Sequence, residues 1–568
     1  MAAQKEKINY EISFSKPHTH YAQVKIKVVN YSGAFLDFKM PVWTPGSYLV
    51  REFAKSIENF KSNVGTPQRL DKNTWRVSLK EKKSIEITYD LYAFEKSVRT
   101  TFIDEDHAFL HNTSCFMYIE QLKEKEGMLL VNKYEGWKNV STSLNGENGY
   151  YSFTDYDELA DSPIEIGNHD LLVFDVNGVP HTIAMVGRSN CDYDKFIKDL
   201  KRICEETTAI IGEHPCKDYL FIIHNVNSGG GGLEHLNSTC VQMNRFDYDN
   251  AGRYLNFLGL CAHEYFHLWN VKRLRPIALG PFDYDKENYT HMLWVAEGIT
   301  NYYDELIPAR AGFIDDNTFL SNLAGRINAV ENRKGNQVQS LAQASWNAWI
   351  KAYRPNENSM NTTVSYYTKG LVVASMLDIL IAKETDGIKH LDDLMQSLYK
   401  SFYLNKKKGF TDEEFVQEVS RICGSDQSVF FKEFVFSTTP IDYNRFFEMV
   451  GLKLVDTNKQ TKVKLGIRMK GTTITYVETN SSGYVAGLNV KDEILAIDGI
   501  RISESNFKDI TSMYPEKTVD FLINRDHLIR TIKVKVGMND DVAFILEKLE
   551  NASSIQRKLY NKWMFSVN

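Results

Sequence analysis

The sequence has little of what staples, anchors or strongly charges a protein. Seven cysteines are spread over 568 residues: Cys115, Cys191, Cys204, Cys216, Cys240, Cys261 and Cys423. Their number is odd and no pair has metal-ligand spacing, which argues against a disulfide framework and a cysteine-bound zinc module. Free, mostly buried thiols of a reducing compartment are the plain reading. No charge is in large excess: 67 Lys and Arg face 73 Asp and Glu, a formal net charge of −6. That balance does not call for nucleic acid or an anionic membrane as a partner. The most apolar helical run, over 371–382, is short and carries Asp378, so it is not a membrane span. The opening Met1-Ala2-Ala3-Gln4-Lys5-Glu6-Lys7 has no apolar signal core and leads straight into a strand pattern. A cytoplasmic protein is expected; a periplasmic one whose signal peptide had been removed would read the same. The run Ser228-Gly229-Gly230-Gly231-Gly232 is not followed by Gly-Lys-Ser/Thr, which excludes a phosphate-binding nucleotide loop.

What the chain does have is apolar and aromatic material, 43% and 12% of residues. That supplies several cores, and the length points to three or four domains. Residues up to about 168 alternate, as in Gln23-Val24-Lys25-Ile26-Lys27-Val28 and Ile85-Glu86-Ile87-Thr88-Tyr89. Such alternation predicts antiparallel sheets with one buried face. Inside this region two prolines and a glycine fix the loop Pro41-Val42-Trp43-Thr44-Pro45-Gly46-Ser47-Tyr48. It reads as a rigid turn; the alternative is that it reaches across to wall an active site. From about 169 to 250 the pattern is mixed, with strands over 169–174, 182–186 and 219–223 and a helix over 193–213. From about 310 to 445 it is helical, over 319–330, 366–382 and 415–423. A fresh unit begins near 450, with alternation at Thr473-Ile474-Thr475-Tyr476-Val477 and a tight Asp498-Gly499 turn. The tail over 540–568 reads as a helix whose apolar end, Trp563-Met564-Phe565, is expected to dock.

The chemistry is concentrated in Cys261-Ala262-His263-Glu264-Tyr265-Phe266-His267-Leu268-Trp269. On a helix, residues four apart stack on one face about 6 Å along the axis. His263 and His267 can therefore aim both imidazoles at one tetrahedral zinc ion. Glu264, turned about 100° from His263, can reach a water on that ion and take its proton. Tyr254, Phe257, Leu258, Phe266 and Trp269 make the helix a buried one, and its histidines and glutamate then need partners. A catalytic zinc also needs a third protein ligand, with a fourth position left for water. Glu297 is the best candidate, on a helix over 291–306 among Leu293, Trp294, Val295 and Ile299, where an unpaired carboxylate is costly. Asp304 and Glu305, nearer the helix end, read as solvated. Glu234, after the glycine run, reads equally as a solvated loop acid or as an acid beside a substrate backbone laid on an edge strand. In Tyr366-Tyr367-Thr368-Lys369-Gly370, a core aromatic at a helix start is the plain reading. The alternative is a hydroxyl that donates to an oxyanion.

Together these stretches resemble the glycyl aminopeptidase family, zinc metallopeptidases with a thermolysin-like catalytic domain and a PDZ domain. The resemblance covers nearly the whole chain. It is carried by the Pro41 to Tyr48 loop, by His263-Glu264-Tyr265-Phe266-His267-Leu268-Trp269-Asn270-Val271-Lys272-Arg273, and by Glu297-Gly298-Ile299-Thr300-Asn301-Tyr302-Tyr303. It implies one catalytic Zn2+, held by His263, His267 and Glu297, with Glu264 as general base. The catalytic half is also similar to larger aminopeptidases of the same clan, which carry a Gly-x-Met-Glu-Asn strand and a Tyr-x-Lys-Gly helix. Here the strand is Gly231-Gly232-Leu233-Glu234-His235, with Leu and His replacing Met and Asn, and the helix start is Tyr367-Thr368-Lys369-Gly370. The match implies Glu234 as the anchor of a free α-amino group, Gly231 and Gly232 as substrate-binding backbone, and Tyr367 as oxyanion donor. Residues from about 452 to 538 are similar to a PDZ domain. Leu465-Gly466-Ile467 is then its carboxylate-binding loop and a C-terminal peptide its ligand.

The expected architecture is multidomain α+β. An N-terminal antiparallel β-sandwich or saddle covers 1–168. A thermolysin-like catalytic domain with a helical C-terminal half covers 169–447, a PDZ-like β domain 448–540, and a helical tail 541–568. The expected activity is a zinc aminopeptidase that takes small N-terminal residues, Gly or Ala, from peptides through a metal-activated water. Two other readings stay open: a peptide-binding PDZ scaffold with a silent metal site, and a zinc endopeptidase, which needs no amine anchor.

Overall fold

The strands appear where the alternation places them. In a computed structural model that describes residues 6–565, Lys7–Ser13, Tyr21–Val29 and Ser84–Tyr92 lie side by side in a seven-stranded sheet. Val24, Ile26 and Val28 point into the core while Gln23 and Lys27 face solvent. Residues 1–5 and the side chain of Phe565 lie outside the described residues, so the chain start and part of the apolar end are not placed. The chain divides into two units. One comprises Met1–Tyr289, Tyr303–Phe313 and Met395–Thr411; the other comprises Thr290–Tyr302, Ile314–Leu394 and Asp412–Asn568.

Over the residues up to about 168 most β pairings are antiparallel, as expected. One is not: Lys7–Ser13 pairs in parallel with Gly127–Asn132, a strand the chain reaches only after building parts of two other sheets. Parallel pairing needs a long crossover, and local alternation carries no sign of it. After this β-rich region comes a five-stranded sheet in the order Asp170–Val176, Val179–Val186, Tyr219–Val226, Ser238–Asn244, Gly231–Glu234. Its middle strands run parallel, and Tyr219–Val226 is buried throughout, the mark of a strand covered on both faces. Gly231–Glu234 forms the edge, antiparallel to its neighbour. Helices Tyr193–Ile211 and Ala251–Phe266 pack against each other. Each starts at a side chain, Asp192 or Asn250, that accepts from a first-turn amide.

The second unit is helical, then β. Thr368–Glu384 is its central helix, buried along nearly its whole length. A small sheet follows, including Ile467–Lys470, Thr473–Val477, Glu493–Ile497, Thr518–Arg525 and Leu528–Lys535. It has its own core of Ile494, Phe521, Ile523 and Val534. Asn361 ties this sheet to the helices: its Nδ2 donates to the Val477 carbonyl, and its Oδ1 accepts from Tyr476 Oη and the Thr479 amide.

The tail departs from the single expected helix. Phe544–Lys548 is a strand paired with Leu452–Asp456, and only Ser554–Phe565 is helical. Asn328, in the last turn of the helix Asp316–Glu331, and Asn332, which caps its C-terminus, exchange paired hydrogen bonds with the backbones of Phe544 and Val542. Those distant amides hold the segment extended. The terminal helix docks as expected. Trp563 is buried, and its Nε1 donates to Tyr302 Oη, which donates to Asp378. Among the described residues no helix is long and apolar enough to cross a membrane.

Candidate active site

The helix Ala251–Phe266 carries His263 and Glu264, and His267 closes it. The two imidazole centroids lie 4.7 Å apart with planes at 84°. His263 Nδ1 donates to Asp304 Oδ2 at 2.7 Å, and His267 Nδ1 donates to the Asn270 carbonyl at 3.0 Å. A carboxylate and a carbonyl can only accept, so both Nδ1 atoms carry protons. Each ring therefore presents Nε2, and this tethering is how proteins fix the tautomer and aim of a metal-binding histidine. The back of the helix is pinned to the sheet. Tyr265 Oη sits 2.8 Å from His181 Nε2 and 2.9 Å from His214 Nε2. Burial pushes His181 down to about 4, so it is a neutral acceptor near pH 7.

The edge strand lies against the same helix. Ligand atoms of Glu234, Glu264 and His267 fall within 4.8 Å of one another. Gly232 lies so close to the Glu264 carboxylate that any Cβ there would collide with it. Gly46, at φ +85°, brings the backbone of its loop to Glu234: a Cβ at Gly46 would sit 2.5 Å from Oε1. The loop Pro41 to Tyr48 thus walls this site, the alternative to a merely rigid turn. Glu234 is not a solvated loop acid. It is 3% exposed, and its Oε1 has no hydrogen-bond partner among the described residues. A buried carboxylate left so is costly and calls for a donor. His235 turns to the other face of the strand, where its Nδ1 meets Asp161 at 3.0 Å beside Lys272. Arg273 donates to the Leu236 carbonyl and to Asn237 Oδ1. The segment just past the motif helix therefore holds the end of the Glu234 strand, a role the sequence does not signal.

In the second unit, Glu297 is buried within a π-helical turn, Trp294–Gly298, that runs straight into the helix Ile299–Arg310. Such wide turns cluster at functional sites. Gly298 crosses Gly370 at close range: a Cβ on Gly298 would lie 2.5 Å from the Gly370 Cα. Glu297 precedes one of these glycines by one residue and Tyr367 precedes the other by three, so the crossing sets both beside it. Tyr367 is half-buried, its ring 4.7 Å from that of Tyr366. Lys369 is buried, which lowers it to about 8, and its Nζ donates to Asn336 Oδ1.

Two acids differ from expectation. Asp304 holds His263 rather than water, and Glu305 is buried. The spacing could have pointed to Asp304, because it lies two turns beyond Glu297 and shares its helix face. In the loop Leu465-Gly466-Ile467, the Leu465 carbonyl accepts from the Gly483 amide and the Gly466 carbonyl from that of Glu478. The preceding Lys464 is held by Glu478 and Asp541.

Residues 9–168 match the family model of the Peptidase M61 N-terminal domain, and residues 256–373 match that of the M61 glycyl aminopeptidase. The second match spans His263, Glu264, His267, Glu297 and Tyr367. The chain belongs to the M61 glycyl aminopeptidase family. It is thereby a zinc metallopeptidase, and the M61 match bears out the β-rich N-terminal region and helical C-terminal half expected from the sequence. An aminopeptidase N family protein from Idiomarina loihiensis superposes with a TM-score of 0.90 at 29% identity, covering 98% of this chain and 100% of that one. An M1 zinc metallopeptidase from Deinococcus radiodurans gives 0.47 at 11% identity, over 77% of this chain and 95% of that one. Legionella pneumophila aminopeptidase A gives 0.48 at 13% identity, over 95% of this chain and 56% of that one. No curated protein matches the sequence.

Proposed function

We propose that this M61 peptidase is a zinc aminopeptidase that removes small N-terminal residues, Gly or Ala, from peptides. The observation that carries this is the Glu234 carboxylate, buried beside Glu264 and His267 with one oxygen unpartnered. A free α-ammonium group is the donor that fits it. An endopeptidase would thread an uncharged backbone past this point and would leave the acid unpaired. The loop that closes on Glu234 at Gly46 leaves little depth beside the ammonium, which supports a small first residue.

The donor set fits zinc. Two imidazoles with Nδ1 tied back present their Nε2 atoms. Glu297, on the helix face of Asp304, is the third ligand. When bound, zinc supplies a Lewis acid and lowers the pKa of a water towards about 7. The chain's own residues do the rest. Glu264 takes the proton of the attacking water and delivers it to the leaving amine. The Tyr367 hydroxyl donates to the carbonyl oxygen as charge develops there. The backbone of Gly231 and Gly232 carries the substrate strand, and Glu234 holds its ammonium end one residue from the cut.

The test is hydrolysis of glycyl- and alanyl-nitroanilides beside their N-acetylated forms, with a chelator control. Cleavage of only the free-amine forms, abolished by chelation, is expected. Equal cleavage of the acetylated forms would make the protein an endopeptidase and remove the anchoring role of Glu234.

A further inference from the structure

Arg99 lies between the strands Phe94–Ser97 and Thr100–Ile103, remote in sequence from the motif helix. Its Nη2 donates to the Gly232 carbonyl at 2.9 Å, and its Nη1 is 3.9 Å from where a Cβ on Gly231 would stand. A guanidinium has five N–H donors. Among the described residues no carboxylate pairs with this one, and its Nε is buried without a hydrogen-bond partner. Glu165 does not serve it, because both Glu165 oxygens are taken by His107 and His224. A half-buried guanidinium with most of its donors idle calls for an anion.

The place of Arg99 beside the strand Gly231–Glu234 says which anion. Gly232 and Glu234 are two residues apart on an extended edge strand, about 7 Å. A substrate running antiparallel along that edge, ammonium on Glu234, carries its second residue towards Gly232 and Arg99. An extended dipeptide spans about 7 Å from end to end. We propose that Arg99 receives a substrate carboxylate, foremost the C-terminal carboxylate of a dipeptide. Glu234 and Arg99 then clamp the two charged ends of one short substrate, with the scissile bond held over Glu264 between them. A longer peptide with Asp or Glu in second place offers the same chemistry. This inference rests on the aminopeptidase reading, since Glu234 must hold the ammonium group.

The test is calorimetric binding to the zinc-loaded Glu264→Gln protein, which does not depend on turnover. The probes are glycylglycine, its C-terminal amide, glycylglutamic acid diamide and N-acetylglycylglycine. Glycylglycine is expected to bind at least tenfold tighter than its amide, and adding Arg99→Gln should bring the two within twofold. A preference for the glutamyl diamide over glycylglycine amide, also erased by Arg99→Gln, would assign the side-chain source of the carboxylate. Acid and amide forms binding within twofold before Arg99 is changed would overturn the proposal, whatever the fold of the Arg99 variant. So would equal weakening of both forms by Arg99→Gln. The aminopeptidase reading fails separately, if N-acetylglycylglycine binds as well as glycylglycine while the preference for a free carboxylate persists.

Discussion

Two buried clusters of histidine and carboxylate in the first unit use the same parts in opposite ways. Around Glu165, His107 Nδ1 donates to one carboxylate oxygen at 2.8 Å and His224 Nε2 to the other at 2.9 Å. Cys240 Sγ lies 3.6 Å from the second His224 nitrogen. Burial alone would raise the Glu165 carboxyl, but the two imidazoles hold it down to about 2. By distance this cluster could hold an ion, its ligand atoms lying within 4.8 Å. Its lone pairs, however, already meet protons. It is a closed charge network that joins His107–Leu110 and Ile164–Gly167 to Tyr219–Val226 of the catalytic sheet. Around the motif helix the acceptors stand behind the rings. Asp304 and the Asn270 carbonyl take the Nδ1 protons. Residue types alone do not make a metal centre. What makes one is which nitrogen the surroundings tie back.

The largest effect that would sharpen this contrast is on turnover. Glu264→Gln should keep its zinc and lose about 10²- to 10⁴-fold in kcat; near-normal turnover with zinc bound would remove Glu264 from the base role. Next, metal analysis should find Glu297→Ala depleted of zinc and Glu165→Gln with wild-type zinc content. Loss of a metal ion from the Glu165 variant would turn the closed network into a second metal centre and break the comparison.

Acid should act on the Glu165 network. Folding lowers the Glu165 pKa from 4.5 to about 2, so the ionised carboxylate contributes its stability fully above about 4.5. That contribution, about 3 kcal/mol, is lost as pH falls towards 2. Denaturation midpoints measured across that window should fall less steeply for Glu165→Gln; parallel curves would show that the network carries no such linkage. The smallest effect is expected from Asp304→Ala, which should weaken zinc about 10- to 100-fold in chelator competition. An unaltered affinity would mean that His263 is aimed without it.

Some of this was legible along the chain and some was not. The candidates His263, Glu264 and His267 rest on helical spacing, and the candidate Glu297 on the cost of an acid among Trp294, Val295 and Ile299. The inward strand residues follow from alternation. Asp304 was misread because an acid near a helix end is usually solvated, and its histidine belongs to another helix. The strand Phe544–Lys548 was missed because what holds it is remote in sequence: its paired strand Leu452–Asp456, and Asn328, more than two hundred positions away.

By itself the sequence determined the periodicities and the spacing of the motif, because these depend on residues a few positions apart. Only the tertiary structure decided which nitrogen each histidine presents, that the Gly46 loop walls Glu234, and that Arg99 meets Gly232. Apart from His267 on the Asn270 carbonyl, those contacts join residues far apart in sequence. No local period encodes them; burial and hydrogen-bond satisfaction select them once the sheets and helices pack.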